Sequence, residues 1–154
     1  MISRRDWLRL SAGGLALGAT SATRLLAFAP AKEATVYKSP SCGCCKKWVE
    51  HMQKNGYKVT VHDVEDVTPL KKRYAVPDAL ASCHTAIVTG GYIVEGHVPA
   101  DLVDKLVAQA PKDTIGLAVP GMVTGSPGME GGTPEKYDVL AFDKAGKTKV
   151  YARR

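Results

Sequence analysis

Aromatic residues are scarce in this 154-residue chain, at 6% of its composition, and its lysines are scattered rather than interleaved with aromatics in a basic stripe. Such a stripe is typical of nucleic-acid-binding surfaces, so the sequence disfavours nucleic acid as a partner. A long hydrophobic run is also lacking. The charge-free stretch from Ser11 to Thr23 is shorter than the about 20 residues that a membrane-spanning helix needs. No internal repeat is evident.

What remains is the composition of an ordinary globular protein, with 45% hydrophobic and 23% charged residues. A chain of this length is sufficient for one domain with a single sizeable core. The formal net charge of +6 falls to +3 without residues 1–31, which hold four arginines and one aspartate. The sequence therefore predicts a leader over residues 1–31 and one domain over residues 32–154.

The leader has the features of a twin-arginine export signal. Arg4-Arg5 precedes one spacer, a bulky apolar pair and Arg9, and the weakly apolar run that follows suits a cleaved signal. Small residues at Ala29-Pro30-Ala31 offer a cleavage point, with a cut after Ala22 as the alternative. A helix of the mature domain is disfavoured, because glycines interrupt the run. We expect the mature protein in the bacterial periplasm, exported after it has folded.

The mature chain alternates strand and helix patterns before a hairpin. Period-two and helical spacings predict strand, helix, strand, helix, strand, strand, helix. Strand–helix alternation predicts a parallel pair, and the hairpin at Gly90-Gly91 adds antiparallel strands. We therefore predict an α/β, thioredoxin-like fold with a central mixed sheet flanked by helices. The expected elements are strands at 34–37, 57–64, 85–88 and 92–95, and helices at 44–55, from 68 to before 76, and from 99 to before 111.

Local signals set the ends of these elements and the character of the C-terminal part. Ser39 or Ser41 is expected to cap the first helix, and Thr68 the second. Asn55-Gly56 is a stop signal for the first helix. Residues 113–134, rich in Gly and Pro and carrying two methionines, are predicted to form one long loop without regular structure. A C-terminal β-hairpin is expected over residues 137–151.

Four cysteines carry the chemistry. Cys42 and Cys45 have the spacing of a redox dithiol at a helix N-terminus, where backbone N–H groups favour the thiolate. Cys44 lies between them and breaks the dithiol pattern. Cys83 directly precedes the third strand, a position that faces the start of the first helix in a thioredoxin-like fold. The sequence therefore predicts a metal site of Cys42, Cys44, Cys45 and Cys83, with three close sulfurs suited to Cu(I).

Other interpretations of the cysteines stay open. Two structural disulfides are possible in an exported protein, although bridges within so short a run are strained. Zinc is a stronger rival, because four sulfurs are a common zinc shell. Copper is favoured over zinc, since Cu(I) tolerates bridging thiolates.

Further ligands are offered by two histidines and two methionines. His84 follows Cys83 directly, and His97 follows the end of the fourth strand. Met122 and Met129 lie in the glycine-rich loop, and thioethers suit copper in an oxidising compartment because they bind without losing a proton. The alternatives are a solvated or capping role for His97 and apolar anchoring of the loop by the methionines.

Several motifs together resemble the CopG-type family of small exported copper-resistance proteins, over roughly residues 34–151. The resemblance implies a thioredoxin-like fold, a periplasmic setting, copper held by the four cysteines, and a role in interconverting copper redox states. The motifs are Ser39-Pro40-Ser41-Cys42-Gly43-Cys44-Cys45-Lys46-Lys47-Trp48, Val76-Pro77, Ser82-Cys83-His84-Thr85, Gly91-Tyr92-Ile93-Val94-Glu95-Gly96-His97-Val98-Pro99, and Pro120-Gly121-Met122 with Gly125-Ser126-Pro127-Gly128-Met129.

The sequence thus predicts a periplasmic protein that sequesters or transfers Cu(I), contributes to copper resistance and exchanges metal with other periplasmic copper-handling proteins. Copper redox activity is a further expectation, although a non-enzymatic role is favoured. The rival from another class is a thiol–disulfide oxidoreductase that uses Cys42 and Cys45, with Cys44 as a regulatory thiol. A zinc-stapled interaction module is a third interpretation.

Overall fold

The structure is a computed structural model that describes residues 31–154. The predicted leader, residues 1–31, falls almost entirely outside the described residues. The strands are β1 (Glu33–Lys38), β2 (Lys58–Asp63), β3 (His84–Val88), β4 (Tyr92–Glu95), β5 (Gly116–Ala118), β6 (Asp138–Phe142) and β7 (Thr148–Arg153). The helices are α1 (Gly43–Lys54), α2 (Thr68–Arg73) and α3 (Ala100–Gln109), with short 3-10 turns at Asp78–Leu80 and Thr89–Gly91.

All of these strands join one seven-stranded mixed sheet within residues 31–154, in the order β2-β1-β3-β4-β5-β6-β7. β1 runs parallel to β2, and β4 runs parallel to β5. The other neighbours are antiparallel. The predicted α/β class, with its mixed sheet and helices, is therefore confirmed, and so are the element order up to α3 and the C-terminal hairpin. The thioredoxin-like assignment stays a prediction.

The core lies between the sheet and the apolar faces of α1 and α3. The buried residues of α1 recur at helical spacing, which is why this segment forms a helix against the sheet. Asn55 ends the helix, and Gly56 follows with a positive φ of 87°, as the stop signal predicts. The main buried side chains here are Trp48, Val49 and Met52 of α1, Val103 and Leu106 of α3, and Val36, Ala86 and Val94 of the sheet.

The predicted caps of the first two helices are wrong. Cys42 is the N-cap of α1, and its sulfur accepts a hydrogen bond from the Cys45 N–H at 3.4 Å. The Ser39 and Ser41 hydroxyls lie 3.1 Å from each other instead. At α2, Thr68 is the first helical residue, and its N–H donates to Asp66 Oδ1 at 2.8 Å. In each case the start of the helix lies one residue away from the position that we assigned to it.

The prediction of one unstructured loop over residues 113–134 is also wrong. Gly116–Ala118 forms β5, a fully buried strand between β4 and β6. A Cβ on Gly116 would lie 2.3 Å from Ile93 O and 2.6 Å from the Phe142 ring, so only glycine allows this close approach. A strand of three residues that begins with glycine and lies near prolines shows no detectable periodicity, so it was not predicted from the sequence.

In residues 31–154, no helix has the length and apolar character that crossing a membrane requires.

Candidate metal centre

The turn between β1 and α1 positions three of the four cysteines. The Cys42 N–H donates to Ser39 O at 3.1 Å, which closes the turn directly before the helix. Helical geometry then places Cys44 and Cys45 in the first turn of α1. Cys45 points into the protein and is fully buried, whereas Cys42 and Cys44 are partly exposed.

Cys83 reaches the same place from the neighbouring strand, because it precedes His84, the first residue of β3, which pairs with Lys38 at the end of β1. Its neighbour Ser82 is fixed at both ends: the Ser82 N–H donates to Glu95 Oε1, and the Ser82 hydroxyl donates to Gly121 O, each at 2.6 Å. The Gly96 N–H donates to His84 O at 3.0 Å. These bonds set the backbone of the residues on either side of Cys83.

The four sulfur atoms all lie within 4.8 Å of one another. In this structure Cys42 and Cys45 form a disulfide, with their Cα atoms 5.4 Å apart, and within residues 31–154 Cys44 and Cys83 are the free thiols. Cys44 Sγ is 3.5 Å from Cys42 Sγ, and Cys45 Sγ is 3.8 Å from Cys83 O. The expected convergence of Cys83 on the other three is therefore observed, in an oxidised state that provides two thiols rather than four.

Two imidazoles face the same Cys83 sulfur. His97 Nε2 lies 3.1 Å and His84 Nδ1 lies 3.3 Å from Cys83 Sγ. The other His97 nitrogen, Nδ1, donates to Pro127 O at 2.7 Å, which leaves Nε2 with its lone pair towards the sulfur. Cys83, His84 and His97 thus form a second group of ligand atoms within 4.8 Å of one another, and Cys83 belongs to both groups.

Burial sets the protonation of this second group. Desolvation, with the adjacent Cys44 as the next cause, raises the pKa of Cys83 to about 12, so its thiol stays protonated at neutral pH. Desolvation also lowers the pKa of His97, and it lowers that of the fully buried His84 further, with His97, Lys71 and Lys38 adding to the effect. Both rings are therefore neutral, the form in which imidazole binds metals.

His84 has a further unusual feature. Its Nε2 atom is buried and has no hydrogen-bond partner among the described residues. The ring packs against Trp48, with centroids 4.5 Å apart, and edge-on against His97 at 5.1 Å. An unpartnered buried nitrogen is costly, and a bound ion or water in the site is one of its ordinary explanations.

A buried ion pair contacts the backbone next to Cys83. The Glu95 carboxylate is fully buried and pairs with Lys71, which is itself nearly buried. Glu95 also accepts from the Thr85 hydroxyl at 2.6 Å, in addition to the Ser82 N–H. The sequence analysis missed this role of Glu95. The signal was available, since Glu95 ends an otherwise apolar strand pattern, Tyr92-Ile93-Val94, which is typical of a buried strand.

The glycine-rich loop packs directly on the site. Gly128 has a φ of +88°, and a Cβ there would lie 2.8 Å from both Cys44 O and Trp48 N and 3.3 Å from His97 Nδ1. The Gly128 N–H donates to Glu130 Oε1 at 2.8 Å. Only a residue without a side chain can bring this loop so close to the start of α1.

The two predicted methionines lie on different sides of the cluster. Met122, 61% exposed, lines a groove of about 490 Å³ together with Cys83 and the end of α2. Met129 is partly buried and lines a second groove of about 380 Å³ together with Cys44 and Lys47. Neither methionine belongs to the two close groups of cysteine and histidine ligands, so the structure brings together the six predicted Cys and His residues and leaves the two thioethers at its edges.

The sheet and the cluster define a small mixed α/β protein whose Cys/His site has the donor atoms that soft metal ions prefer. The model of a family described as a protein of unknown function, DUF411, matches residues 80–129. No curated protein sequence matches the chain.

Two solved structures are similar to nearly the whole described part. Both are described as copper resistance protein CopG, in form 2 and form 1, and each is 42% identical to this chain and covers 82% of it. The matches span 99% and 98% of those chains, with TM-scores of 0.75 and 0.74. The protein belongs to the CopG family.

Proposed function

We propose that this protein binds copper, holds or passes on Cu(I) through its cysteine cluster, and contributes to copper resistance. The observation that carries the proposal is the convergence of four sulfur atoms and two neutral imidazoles around Cys83. The relatives described as copper resistance proteins support copper as the metal.

The donor set fits a soft ion. Thiolates and imidazoles suit Cu(I), and the two close ligand groups contain cysteine and histidine side chains without a carboxylate. Cys83 Sγ lies 3.1 Å from His97 Nε2 and 3.3 Å from His84 Nδ1, so its single thiol hydrogen can be shared with one ring at a time. A soft ion that replaces the thiol hydrogen would gain the Cys83 sulfur and lone pairs from the imidazoles.

The redox state controls how many ligands are available. Cys42 and Cys45 must be reduced before they can bind metal, which requires two electrons and two protons from a thiol or dithiol donor. Each thiol that then binds copper releases a proton. A reduced protein therefore offers all four sulfurs, whereas the oxidised protein offers Cys44, Cys83 and the imidazoles.

The test is metal analysis of the anaerobically reduced protein after exposure to Cu(I) and Zn(II) together, with a parallel count of alkylatable thiols. We expect more than one copper per chain and protection of all four thiols. Cys83→Ser should sharply reduce the bound copper, whereas Ser41→Ala, which changes an exposed hydroxyl of the same turn, should not. Zinc retained in preference to copper would favour the zinc-stapled module instead.

Copper redox activity at this site is part of the proposal. The mixed thiolate and imidazole donors suit both oxidation states, since imidazole also binds Cu(II). An electron paramagnetic resonance signal of Cu(II) should arise on oxidation and disappear on reduction, with the metal retained throughout. Loss of the metal on oxidation would restrict the function to Cu(I) storage or transfer.

A thiol–disulfide oxidoreductase is the second candidate function, and the Cys42–Cys45 disulfide at the start of α1 favours it. In that reaction a donor dithiol reduces the Cys42–Cys45 disulfide and itself becomes a disulfide, and the two thiols so formed then pass two electrons and two protons to a substrate disulfide. Turnover of a disulfide substrate by the metal-free protein, lost in Cys42→Ser and kept in Cys83→Ser, would support this function. No turnover would leave the disulfide as a control on metal binding.

We also propose a periplasmic location, reached by the twin-arginine route. Arg4 and Arg5 are the pair that the leader presents for this route. Replacing both with Lys should retain the full-length protein in the cytoplasm. Unchanged export in cell fractionation would argue for another route.

A further inference from the structure

The groove that carries Met122 lies between α2 and the glycine-rich loop. Its volume of about 490 Å³ is bounded on the α2 side by Val67, Lys71 and Val76, and Cys83 and Met122 lie along it as well. The groove therefore connects the outside of the protein with one sulfur of the cluster.

Met122 does not serve as an apolar anchor for the loop. It is 61% exposed, whereas Met52 in the core is 0% exposed. Burying a methionine side chain is worth about 1.5–3 kcal/mol, and Met122 obtains little of this stabilisation. Its neighbour Gly121 already holds the loop, because Gly121 O accepts the Ser82 hydroxyl hydrogen at 2.6 Å.

The Ser82–Gly121 hydrogen bond joins the chain segment that carries Cys83 to the segment that carries Met122. Ser82 precedes Cys83, and Gly121 precedes Met122, so each sulfur-bearing residue is one position from the contact. The thioether thus stands at the outer part of a groove whose inner part is formed by the Cys83 thiol. The cysteines of α1 do not line this groove.

Charge in the groove does not oppose a monovalent soft cation. Lys71 is paired with the buried Glu95 carboxylate, and the lining otherwise holds one lysine, Lys72, and one aspartate, Asp78. The groove therefore presents two soft donors, the Met122 thioether and the Cys83 sulfur once its proton has left. Cu(I) prefers such donors, while hard cations do not.

We propose that Met122 and Cys83 form a transfer site for Cu(I), through which the ion passes between an outside carrier and the cluster. This inference rests on the proposed function. The step is a ligand exchange without electron transfer: the ion leaves its carrier, binds the Met122 thioether and then the Cys83 sulfur, and the Cys83 thiol proton goes to water. Met129, on the other groove, has no such role.

The test compares Met122→Leu with Met129→Leu, which makes the same chemical change on the other side of the cluster. Copper-loaded, reduced protein is mixed with a chromogenic Cu(I) chelator, and both the transfer rate and the total copper are measured. We expect Met122→Leu to slow transfer by about tenfold or more, the scale on which loss of a supporting group weakens metal sites. Total copper per chain, measured alongside, separates a slower transfer from a smaller load, and Met129→Leu should transfer at the wild-type rate.

A structural readout separates a ligand from a steric effect. Selenomethionine-labelled, reduced protein, loaded with Cu(I) until the cluster is full and then given one further equivalent, should show copper–selenium scattering in its X-ray absorption spectrum. This signal should be lost in Met122→Leu and kept in Met129→Leu.

Each outcome has a distinct meaning. Wild-type protein that holds no Cu(I) would overturn the proposed function. Copper-loaded wild type without copper–selenium scattering, or an equal transfer rate in Met122→Leu, would overturn the transfer site alone. Scattering that is lost only in Met129→Leu would move the site to the other groove.

Discussion

The two halves of the cluster are built in different ways. Cys42, Cys44 and Cys45 lie at the N-cap and in the first turn of α1, and Cys42 and Cys45 are joined by a bond that reduction breaks. The Cys83 half gathers residues from β3, the end of β4 and the glycine-rich loop, with both imidazoles buried and neutral. The α1 half therefore changes its number of available ligands with redox state, while the Cys83 half keeps a fixed arrangement.

The largest expected effect is on copper capacity. The oxidised protein should bind at most about one copper, through Cys83 and the imidazoles, because a disulfide sulfur is not a thiolate ligand. Full reduction should raise the capacity by at least one further ion. The measurement is copper per chain before and after reduction, with thiols counted in parallel. Equal capacity in both states would remove the distinction between the halves.

Glu95→Ala tests the support of the fixed half. It leaves Lys71 buried without its partner, and breaking a buried ion pair in this way costs about 3–5 kcal/mol of unfolding free energy. Urea unfolding measures the loss. Asp138→Ala, which removes an exposed ion pair with Arg153, is the control and should change stability little. A Glu95→Ala protein as stable as the control would show that the buried Lys71–Glu95 pair contributes no more to stability than the exposed pair does.

Gly128→Ala tests the contact between the two halves. The side chain would need a left-handed backbone, at about 1–2 kcal/mol, and would collide with Cys44 O and Trp48 N, at about 1–3 kcal/mol if they yield. We expect a lower midpoint of thermal unfolding and a less firmly positioned His97 ring. Gly43→Ala is the matched control, because a Cβ there meets nothing within 4 Å. Equal midpoints in the two variants would contradict the tight contact.

His97→Ala gives the smallest of these effects. With the Cys42–Cys45 disulfide intact, loss of this ligand should weaken Cu(I) binding by at least about 10-fold, since even the loss of a group that only orients a ligand costs about 10–100-fold. Competition with a Cu(I) chelator measures the affinity. His62→Ala is the control, since His62 lies exposed on β2 and stacks on Tyr37 away from the cluster. Equal affinities in the two variants would leave His84 as the imidazole that binds Cu(I).

Much of the fold could be predicted because its signals are local. The spacing of Cys45, Trp48 and Met52 indicates α1, and Asn55-Gly56 indicates its end. β5 could not be found in this way, because a buried three-residue strand that begins with glycine has no period to detect. Its place in the sheet depends on β4 and β6, which lie far away in the sequence.

The site was predictable where it depended on topology. The position of Cys83 before β3 places it opposite the start of α1, and the structure agrees. The roles of Glu95 and Gly128 depend instead on contacts between distant segments, such as the Glu95 bond to the Ser82 N–H. The pairing of Cys42 with Cys45 depends on oxidation state, which residue spacing alone does not determine.

The close contact at Gly128 has a consequence for how an ion reaches the cluster. The loop, the first turn of α1 and the His97 ring lie so close together that Gly128 has room for a hydrogen atom but not for a Cβ. Lifting the loop as a lid would break the His97 bond to Pro127 O and separate three packed elements at once. We therefore expect ions to enter sideways along the groove that Met122 and Cys83 line, by exchange of ligands rather than by an opening motion of the loop.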